Sequence, residues 1–495
     1  MHLNNPKIPK EIIKIAEELK NAGFEAYLVG GCVRDLIIGL KPKDWDFATN
    51  ALPDEIMKIF KNSFYENEYG TVGVVNDSPD DGNLDETLKV VEITPYREET
   101  GYSDFRRPDE VKFGTTLEKD LSRRDFTINA IALDPHKGQV IDPYKGQVDI
   151  KDKIIKAVGK PEERFGEDGL RILRAVRLAS ELGFEIEKQT RTAIVSGSSF
   201  IRNISQERIR DEFSRIIMSK SPENGLILCQ ELGILKEFLP ELERAVGIKQ
   251  NKAHSYDVWT HLLKSLQHAA NKNMSFHVKL SALFHDISKP NTRRWSEEKK
   301  DWTFYGHDVV GSRETERILK RLKFPVKTVE KVSKLVRWHM FFSDTDKITL
   351  SAVRRLVANV GKEDIWELMD LRSCDRIGTG RPKESPYRLR KFHSMIEEVI
   401  ADPVSVSMLK IDGARIMEVT QETPGPRIGF ILHALLEDVL DDPSLNDEKY
   451  LENRAVELSK LANSELEKIG QSAKGRKEEE ENKKLAEIRG KYYVK

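Results

Sequence analysis

Two carboxylates two residues apart, Asp44 and Asp46, follow closely on a glycine pair and an arginine. The run is Tyr27-Leu-Val-Gly-Gly-Cys-Val-Arg-Asp35, then Lys41-Pro-Lys-Asp-Trp-Asp-Phe47. A strand ending in Gly30-Gly31 lets a phosphate chain approach the backbone, and the helix that follows offers unpaired N–H groups to anionic oxygens. Arg34, one turn into that helix, adds a charge-assisted contact. On a strand, Asp44 and Asp46 project to one face while Trp45 points to the other. Such a pair can hold two Mg²⁺ ions between an attacking hydroxyl and a leaving pyrophosphate. Alone, a Gly-Gly is a turn and a DxD a solvated strand end; one short helix joining them is what points to phosphate chemistry.

A second set lies in Phe165-Gly-Glu-Asp-Gly-Leu-Arg-Ile-Leu-Arg-Ala-Val-Arg177. The spacing predicts one amphipathic helix from Glu167 to Leu182, closed by Gly183, with Asp168 and Arg171 on a shared face. Cytosine and adenine each present an exocyclic NH₂ beside an unprotonated ring nitrogen. A carboxylate accepts from the first and a guanidinium donates to the second. Uracil and guanine reverse both groups and leave charged groups unpaired, at about 1–3 kcal/mol or more each. An Asp/Arg pair can therefore choose C and A without a nucleic-acid template. Arg174 and Arg177 continue beside the apolar stripe Leu170, Leu173 and Val176; taken alone, they read as a basic solvent face.

These residues need a frame. From about residue 10 to 150 the chain mixes helix and strand, with a helix over Pro9 to Ala22 stopped by Gly23. Short apolar runs follow at Ala26–Val29, Trp45–Ala48, Thr71–Val75, Leu88–Thr94, Val111–Phe113 and Gln139–Ile141, which predict a small sheet with helices on it. The polar insert Asn76 to Glu86 reads as an exposed hairpin loop. Beyond about Ile150 strand signals nearly vanish. Ser205 to Met218 is a helix capped by Ser205, its basic face beginning at Arg208, and amphipathic segments continue to about Ala462. The stretch Ser464 to Lys495 is charged and polar, a solvated helix or disordered.

Composition sets outer limits. The 495 residues are too many for one ordinary core, and 81 Lys+Arg against 82 Asp+Glu give a net charge of −1. That balance excludes a polybasic-tail nucleic-acid binder and an acidic disordered chain, but not a local basic surface. Three scattered cysteines, Cys32, Cys229 and Cys374, have neither metal-type nor redox-type spacing. The start lacks a signal-peptide core and no segment reads as membrane-spanning, so a cytoplasmic protein is expected.

The glycine pair, helix and DxD together resemble the polymerase-β type of nucleotidyltransferase. They are most similar to the class II tRNA nucleotidyltransferase and bacterial poly(A) polymerase family. Asp120-Leu-Ser-Arg-Arg-Asp-Phe-Thr-Ile-Asn-Ala130 resembles its RRDFTxNA motif, and the Asp168 segment its EDxxR motif. The resemblance implies that Gly31 and Arg34 bind the nucleotide, Asp44 and Asp46 carry the metals, and Arg124 faces triphosphate or ribose. It places Asn129 at the sugar and Arg174 and Arg177 at base and phosphate. Glu92 is the candidate third acid. The segment between Pro95 and Lys112 resembles the family's flexible loop, which takes part in the change from C to A addition. CC-adding relatives tend to lack it, and the basic discriminator usual in bacterial poly(A) polymerases is not found.

Farther along, His261, His285-Asp286, His307, His339 and Asp375 form an H…HD…D series with two more histidines. This resembles the HD metal-dependent phosphohydrolase domain, with His307 and His339 where two-metal members have extra ligands. Imidazole plus carboxylate suits a divalent ion such as Mn, Ni, Co or Fe. Lys289 is a candidate phosphate contact, and a structural spacer is the competing reading. His254, His268, His277 and His433 read as surface or packing residues.

The expected fold is α+β: a polymerase-β-type nucleotidyltransferase head over residues 1–150, with a small mixed sheet, followed by all-α parts. These are a neck at 151–245, an HD-type body at 246–395, a helical tail at 396–463 and a charged extension at 464–495. The expected activity is Mg²⁺-dependent addition of C, C and A to the tRNA 3′ end from CTP and ATP, with tRNA as partner and no membrane. Partial or poly(A) addition is the alternative within that chemistry, and HD phosphodiesterase or phosphatase action the alternative outside it. The sequence leaves the oligomeric state open.

Overall fold

The computed structural model describes residues 7–66, 70–76, 85–101, 110–341, 348–462 and 464–466. The chain divides into two compact units, one of Met1–Glu243 with Arg321–Lys323 and the other of Arg244–Lys320 with Phe324–Lys495.

The first unit starts with α1 (Lys10–Asn21), β1 (Tyr27–Val29), α2 (Gly31–Ile38), β2 (Asp46–Thr49), α3 (Pro53–Ile59), β3 (Ser63–Tyr65) and β4 (Val72–Val75). Then come β5 (Val90–Pro95), β6 (Arg97–Thr100), β7 (Glu110–Phe113), α4 (Leu117–Ser122), β8 (Ala132–Leu133), β9 (Val140–Ile141) and α5 (Gly146–Asp152). The main sheet has seven strands in the order β3-β4-β5-β2-β1-β8-β9. It is mixed: β2 and β5 run parallel while the other neighbours run antiparallel. Two of its strands, β3 and β8, escaped the sequence reading. The predicted Val111–Phe113 strand is real but lies elsewhere, because β7 pairs only with β6 in a two-stranded ribbon. Val29, Ala48, Tyr96, Leu117, Leu121 and Ala132 form a buried cluster that fixes β1, β2 and α4 together.

The rest of this unit is helical apart from one short parallel strand pair: β10 (Ile154–Ile155), α6 (Pro161–Glu167), α7 (Leu170–Leu182), β11 (Glu185–Ile186), α8 (Lys188–Gly197), α9 (Gln206–Met218), α10 (Pro222–Glu231), α11 (Leu235–Phe238) and α12 (Pro240–Glu243). The expected single helix from Glu167 to Leu182 is corrected here. It is two helices, broken at Asp168-Gly169, where Asp168 is extended (φ −144, ψ 104). The Asp168 side chain accepts the Leu170 N–H at 3.1 Å, so it caps the start of α7 instead of lying inside a helix. The end of α7 is as expected, with Gly183 left-handed at φ 68.

The second unit contains α13 (Val258–Asn271), α14 (Phe276–Phe284), α15 (Lys289–Thr292), β12 (Arg294–Ser296), β13 (Asp301–Thr303), α16 (His307–Arg321), α17 (Val326–Trp338), α18 (Leu350–Val360), α19 (Ile365–Gly378), α20 (Tyr387–Val399), α21 (Gly413–Thr420), α22 (Pro426–Asp441) and α23 (Glu448–Ser459). The β12–β13 hairpin was not foreseen. One continuous apolar core runs from Ala269 on α13 through α14, α17–α20 and α22 to Leu458 on α23. The insert read at Asn76–Glu86, the loop read at Pro95–Lys112 and the extension from Ser464 have residues 77–84, 102–109 and 467–495 outside the described residues. Among the described residues no helix is long and apolar enough to cross a membrane.

Candidate active site and metal centre

In the head, β1 ends at Val29 and Gly30 turns the chain into α2 with φ 78. A side chain at Gly30 would be strained there and would also meet Arg124 Nη1 at 2.9 Å and Asp46 Oδ2 at 3.7 Å. Glycine thus lets Arg124 and Asp46 close on the backbone at the start of α2. A Cβ on Gly31 would lie 3.8 Å from Asp44 Oδ1, so the glycine pair and both aspartates share one small volume. The strand starts at Asp46, one residue later than predicted, with Trp45 buried beside it.

Parallel pairing sets Asp46 of β2 against Glu92 of β5. Burial, then the Asp44 charge, then that of Glu92, push the Asp46 carboxyl up to about 7, with Arg124 opposing. Glu92 is itself raised by burial and by Glu66 and Asp44. Glu66, from the end of the β3 arm, was not anticipated. Carboxylates crowded in this way hold a proton or a cation, and their hard oxygen donors suit a divalent one. The Cys32 thiol, though adjacent, is buried and pushed up to about 12, which leaves it inert.

The three motifs meet through one hydrogen-bonded chain. Arg34 donates to Asp35 from Nε (2.9 Å) and Nη2 (2.7 Å), and from Nη1 to Asn129 Oδ1 at 2.8 Å. Asn129 Nδ2 donates to Asp125 Oδ1 at 3.1 Å, and Arg174 Nε donates to Asp125 Oδ2 at 2.8 Å. Burial alone would raise Asp125, but Arg174, the Asn129 amide and Arg171 outweigh it and hold the carboxyl at about 2. Asp120, likewise buried, is brought below its ordinary value by Arg123 and Arg124. Asp125 is a link the sequence reading passed over, although it sits between Arg124 and the Phe-Thr of the same motif.

On the neck, the Asp168 and Arg171 side chains do not bond each other, although the Arg171 N–H donates to the Asp168 carbonyl at 3.0 Å. Asp168 takes Arg208 Nη1 at 3.2 Å and Nη2 at 2.7 Å. Arg171 pairs with Glu167 and donates to the Arg164 and Arg123 carbonyls, each at 3.2 Å. Arg177 is buried, its Nε on Glu212 at 2.6 Å and its Nη1 on Glu181 at 2.8 Å, so in this state it ties α7 to α9.

The second unit brings all six predicted histidine and aspartate ligands together. His261, His285, Asp286 and Asp375 form one group and Asp286, His307 and His339 another, with ligand atoms in each within 4.8 Å of one another. Asp286 serves both. Its Oδ2 is 3.0 Å from His261 Nε2 and 3.3 Å from His285 Nε2, while its Oδ1 is 3.2 Å from His307 Nε2 and 3.7 Å from His339 Nε2. Three rings are locked through Nδ1 to carbonyls: His285 to Ala282, His307 to Phe304 and His339 to Val336. That fixes Nε2 of each toward the cluster, where Nε2 of His307 and of His339 is buried facing Asp286 Oδ1. The donor set fits two divalent ions sharing Asp286.

Lys289 Nζ lies 2.6 Å from both Asp286 Oδ2 and Gln250 Oε1. His254, read as a surface or packing residue, packs edge-on to His261 at 5.5 Å, with Nε2 3.4 Å from Lys289 Nζ. Its signal in the sequence was only nearness to Asp257 and His261.

A DxD beside a glycine turn, an Arg/Asp relay to the neck and a six-ligand histidine–aspartate centre define a nucleotidyltransferase head joined to an HD unit. Family comparison agrees: residues 26–156 match the Poly A polymerase head domain, 183–246 the probable RNA and SrmB-binding site of polymerase A, and 254–378 the HD domain. The CCA-adding enzyme of Leuconostoc mesenteroides is 31% identical over 462 residues, covering 91% of this chain and 98% of that enzyme. The chain belongs to the CCA-adding enzyme family. The CCA-adding enzyme of Ligilactobacillus salivarius is 45% identical over 224 residues, 45% of this chain and 53% of that one. With it and similar lactobacillar enzymes, the match spans about half the relative's length. Among solved structures, the Bacillus stearothermophilus CCA-adding enzyme in complex with CTP superposes with a TM-score of 0.69 at 26% identity, covering 92% of this chain and 98% of that one. The Thermotoga maritima CCA-adding enzyme complexed with tRNA shares the fold, with a TM-score of 0.52 at 19% identity over 92% of this chain and 96% of that one.

Proposed function

We propose that this protein is a CCA-adding tRNA nucleotidyltransferase, which extends the tRNA 3′ end by C, C and A from CTP and ATP in the cytoplasm. The observation that carries the reading is the meeting of Gly30-Gly31, Asp44 and Asp46 in one volume, linked by Arg34, Asn129 and Asp125 to the neck. Asp44 and Asp46, with Glu92 beside them, would hold Mg²⁺. The chemistry such an ion would supply there is Lewis-acid activation of the tRNA hydroxyl and charge neutralisation for pyrophosphate. The chain's own groups do the rest. Arg124 and the N–H groups at the start of α2 bind the triphosphate, with Gly31 leaving room for it and Arg34 adding charge. Asp168 accepts from the exocyclic amine of C or A while Arg171 donates to the ring nitrogen. Arg174, held by Asp125, sets the wall between head and base. Arg177 acts in this reading by fixing α7, from which the base contacts project.

The HD unit is a second centre of its own. His261, His285, Asp286, His307, His339 and Asp375 would hold transition-metal ions, and Lys289 would face a phosphate ester. The observation favouring metal over a mere spacer is the convergence of the His307 and His339 Nε2 atoms on Asp286 Oδ1, opposite the His261 and His285 Nε2 atoms on its Oδ2.

The test is Asp44→Ala and Asp46→Ala in the full chain, assayed for labelled CMP and AMP incorporation and for tRNA retention. Each should cut incorporation by at least about a thousandfold while tRNA binding stays within about twofold, the scale expected when a metal clamp on a transferring phosphoryl group is lost. Unchanged incorporation would remove the two-carboxylate assignment.

A further inference from the structure

Asp168 stands in a break between helices, with extended backbone, so no helical turn holds its side chain. What holds it is the Leu170 N–H on Oδ1 and, through both guanidinium nitrogens at 3.2 and 2.7 Å, Arg208. We propose that Arg208 is a specificity-determining positioning residue that clamps Asp168 and leaves one carboxylate acceptor site open to a base N–H. The proposal rests on the reading that Asp168 and Arg171 choose the base.

The count of acceptor sites supports it. A carboxylate offers about four lone-pair positions. The Leu170 N–H and one Arg208 nitrogen use Oδ1, and the other Arg208 nitrogen uses Oδ2. One position on Oδ2 remains, matching the single amine hydrogen that cytosine or adenine directs at it. Arg171 is treated alike. Three of its donor positions are engaged by Glu167 and by the Arg164 and Arg123 carbonyls, and two of five stay open.

The clamp is itself anchored. Arg208 and Glu212 are four residues apart on α9 and share a face. Glu212 holds Arg177 of α7 at 2.6 Å in a buried pair. The helix that delivers Arg208 is thereby fixed, one turn away, to the helix that Asp168 caps. A planar guanidinium gripping both oxygens fixes the carboxylate's rotation as well as its place.

Rotation matters for selection. Uracil is penalised at this site because its carbonyl faces a carboxylate that cannot turn away. Without Arg208, Asp168 would keep only the Leu170 N–H on Oδ1, and its other oxygen would turn away from the base, relieve that penalty and accept uracil. Arg208 therefore governs discrimination more than turnover.

The experiment measures kcat/KM for CTP, ATP, UTP and GTP singly, with full-length enzyme and tRNA ending at the discriminator base. Arg208→Met, Arg208→Lys, Asp168→Ala and the Asp168→Ala/Arg208→Met pair are compared with the parent chain. Arg208→Met should lower the CTP:UTP ratio at least about tenfold, on the scale of one unpaired buried group, with KM for tRNA nearly unchanged. Arg208→Lys should restore part of the ratio, and Arg208→Met should add nothing once Asp168 is gone. A ratio is internal to one preparation, so partial loss of folded enzyme cancels. If Arg208→Met does not fold, an intermediate ratio in Arg208→Lys supports the clamp and a parent-like ratio overturns it. Equal slowing of all four nucleotides, or effects that add to those of Asp168→Ala, would make Arg208 a plain structural tie. Retained discrimination in Asp168→Ala would instead strike the underlying reading.

Discussion

Asp125 shows at the scale of one residue how structure and chemistry are shared. It keeps Asn129 and Arg174 in place and is held at about 2 in the fold, below its ordinary 3.8. A carboxyl lowered by folding stabilises the fold above the unfolded value, and the gain is lost as pH falls through the folded one. The window is therefore about pH 4 down to 2. Asp125→Asn should destabilise the protein by about 2 kcal/mol at pH 7, with the gap to the parent narrowing below about pH 4 and nearly gone at about pH 2. Urea unfolding at both pH values measures it, and a constant gap would mean that the charge on Asp125 is not what stabilises. The sequence announced Asp44, Asp46, Asp168 and Arg171 because their chemistry depends on near neighbours. It was silent on Asp125 pairing with Arg174 and on Arg208 pairing with Asp168, because those pairs span 49 and 40 residues.

At the scale of elements, the HD centre depends on how closely two helices cross. α13 carries His261 and α19 carries Asp375, and Gly378 on α19 lies where they meet. A Cβ there would fall 2.0 Å from Ser265 Oγ and 2.7 Å from the His261 carbonyl oxygen. The hydroxyl could rotate; the backbone oxygen could not. Gly378→Ala should push the helices apart, cost about 1–3 kcal/mol and lower the divalent metal bound per chain by half or more, leaving incorporation by the head intact. Elemental analysis after dialysis reads this, and full metal retention would separate the centre from the crossing. The sequence reading saw amphipathic segments through this region, but no pattern in one chain tells which glycine is a crossing point. The break at Asp168-Gly169 was legible in principle, since Asp-Gly before an apolar run is a capping pair. The helical spacing on both sides of it hid the break. Strands of two or three residues, such as β8, β12 and β13, are too short for alternation to show.

For the whole molecule, charge and length now have a physical meaning. In the proposed reading a chain at −1 meets a polyanion because its arginines are locally placed, Arg124 in the head and Arg171 and Arg174 on the neck, each held by a neighbouring carboxylate. The α+β head followed by helices was readable from composition and turn signals. The parallel β2–β5 pairing that brings Glu92 to Asp46 was not, because register between distant strands leaves no local mark. What the whole assembly makes is best read from its product. Full-length enzyme given a tRNA ending at the discriminator base, with CTP and ATP together, should yield tails that read C-C-A and stop. Sequencing those 3′ ends would contradict the account if they carried runs of A, C-C alone, or no added nucleotide.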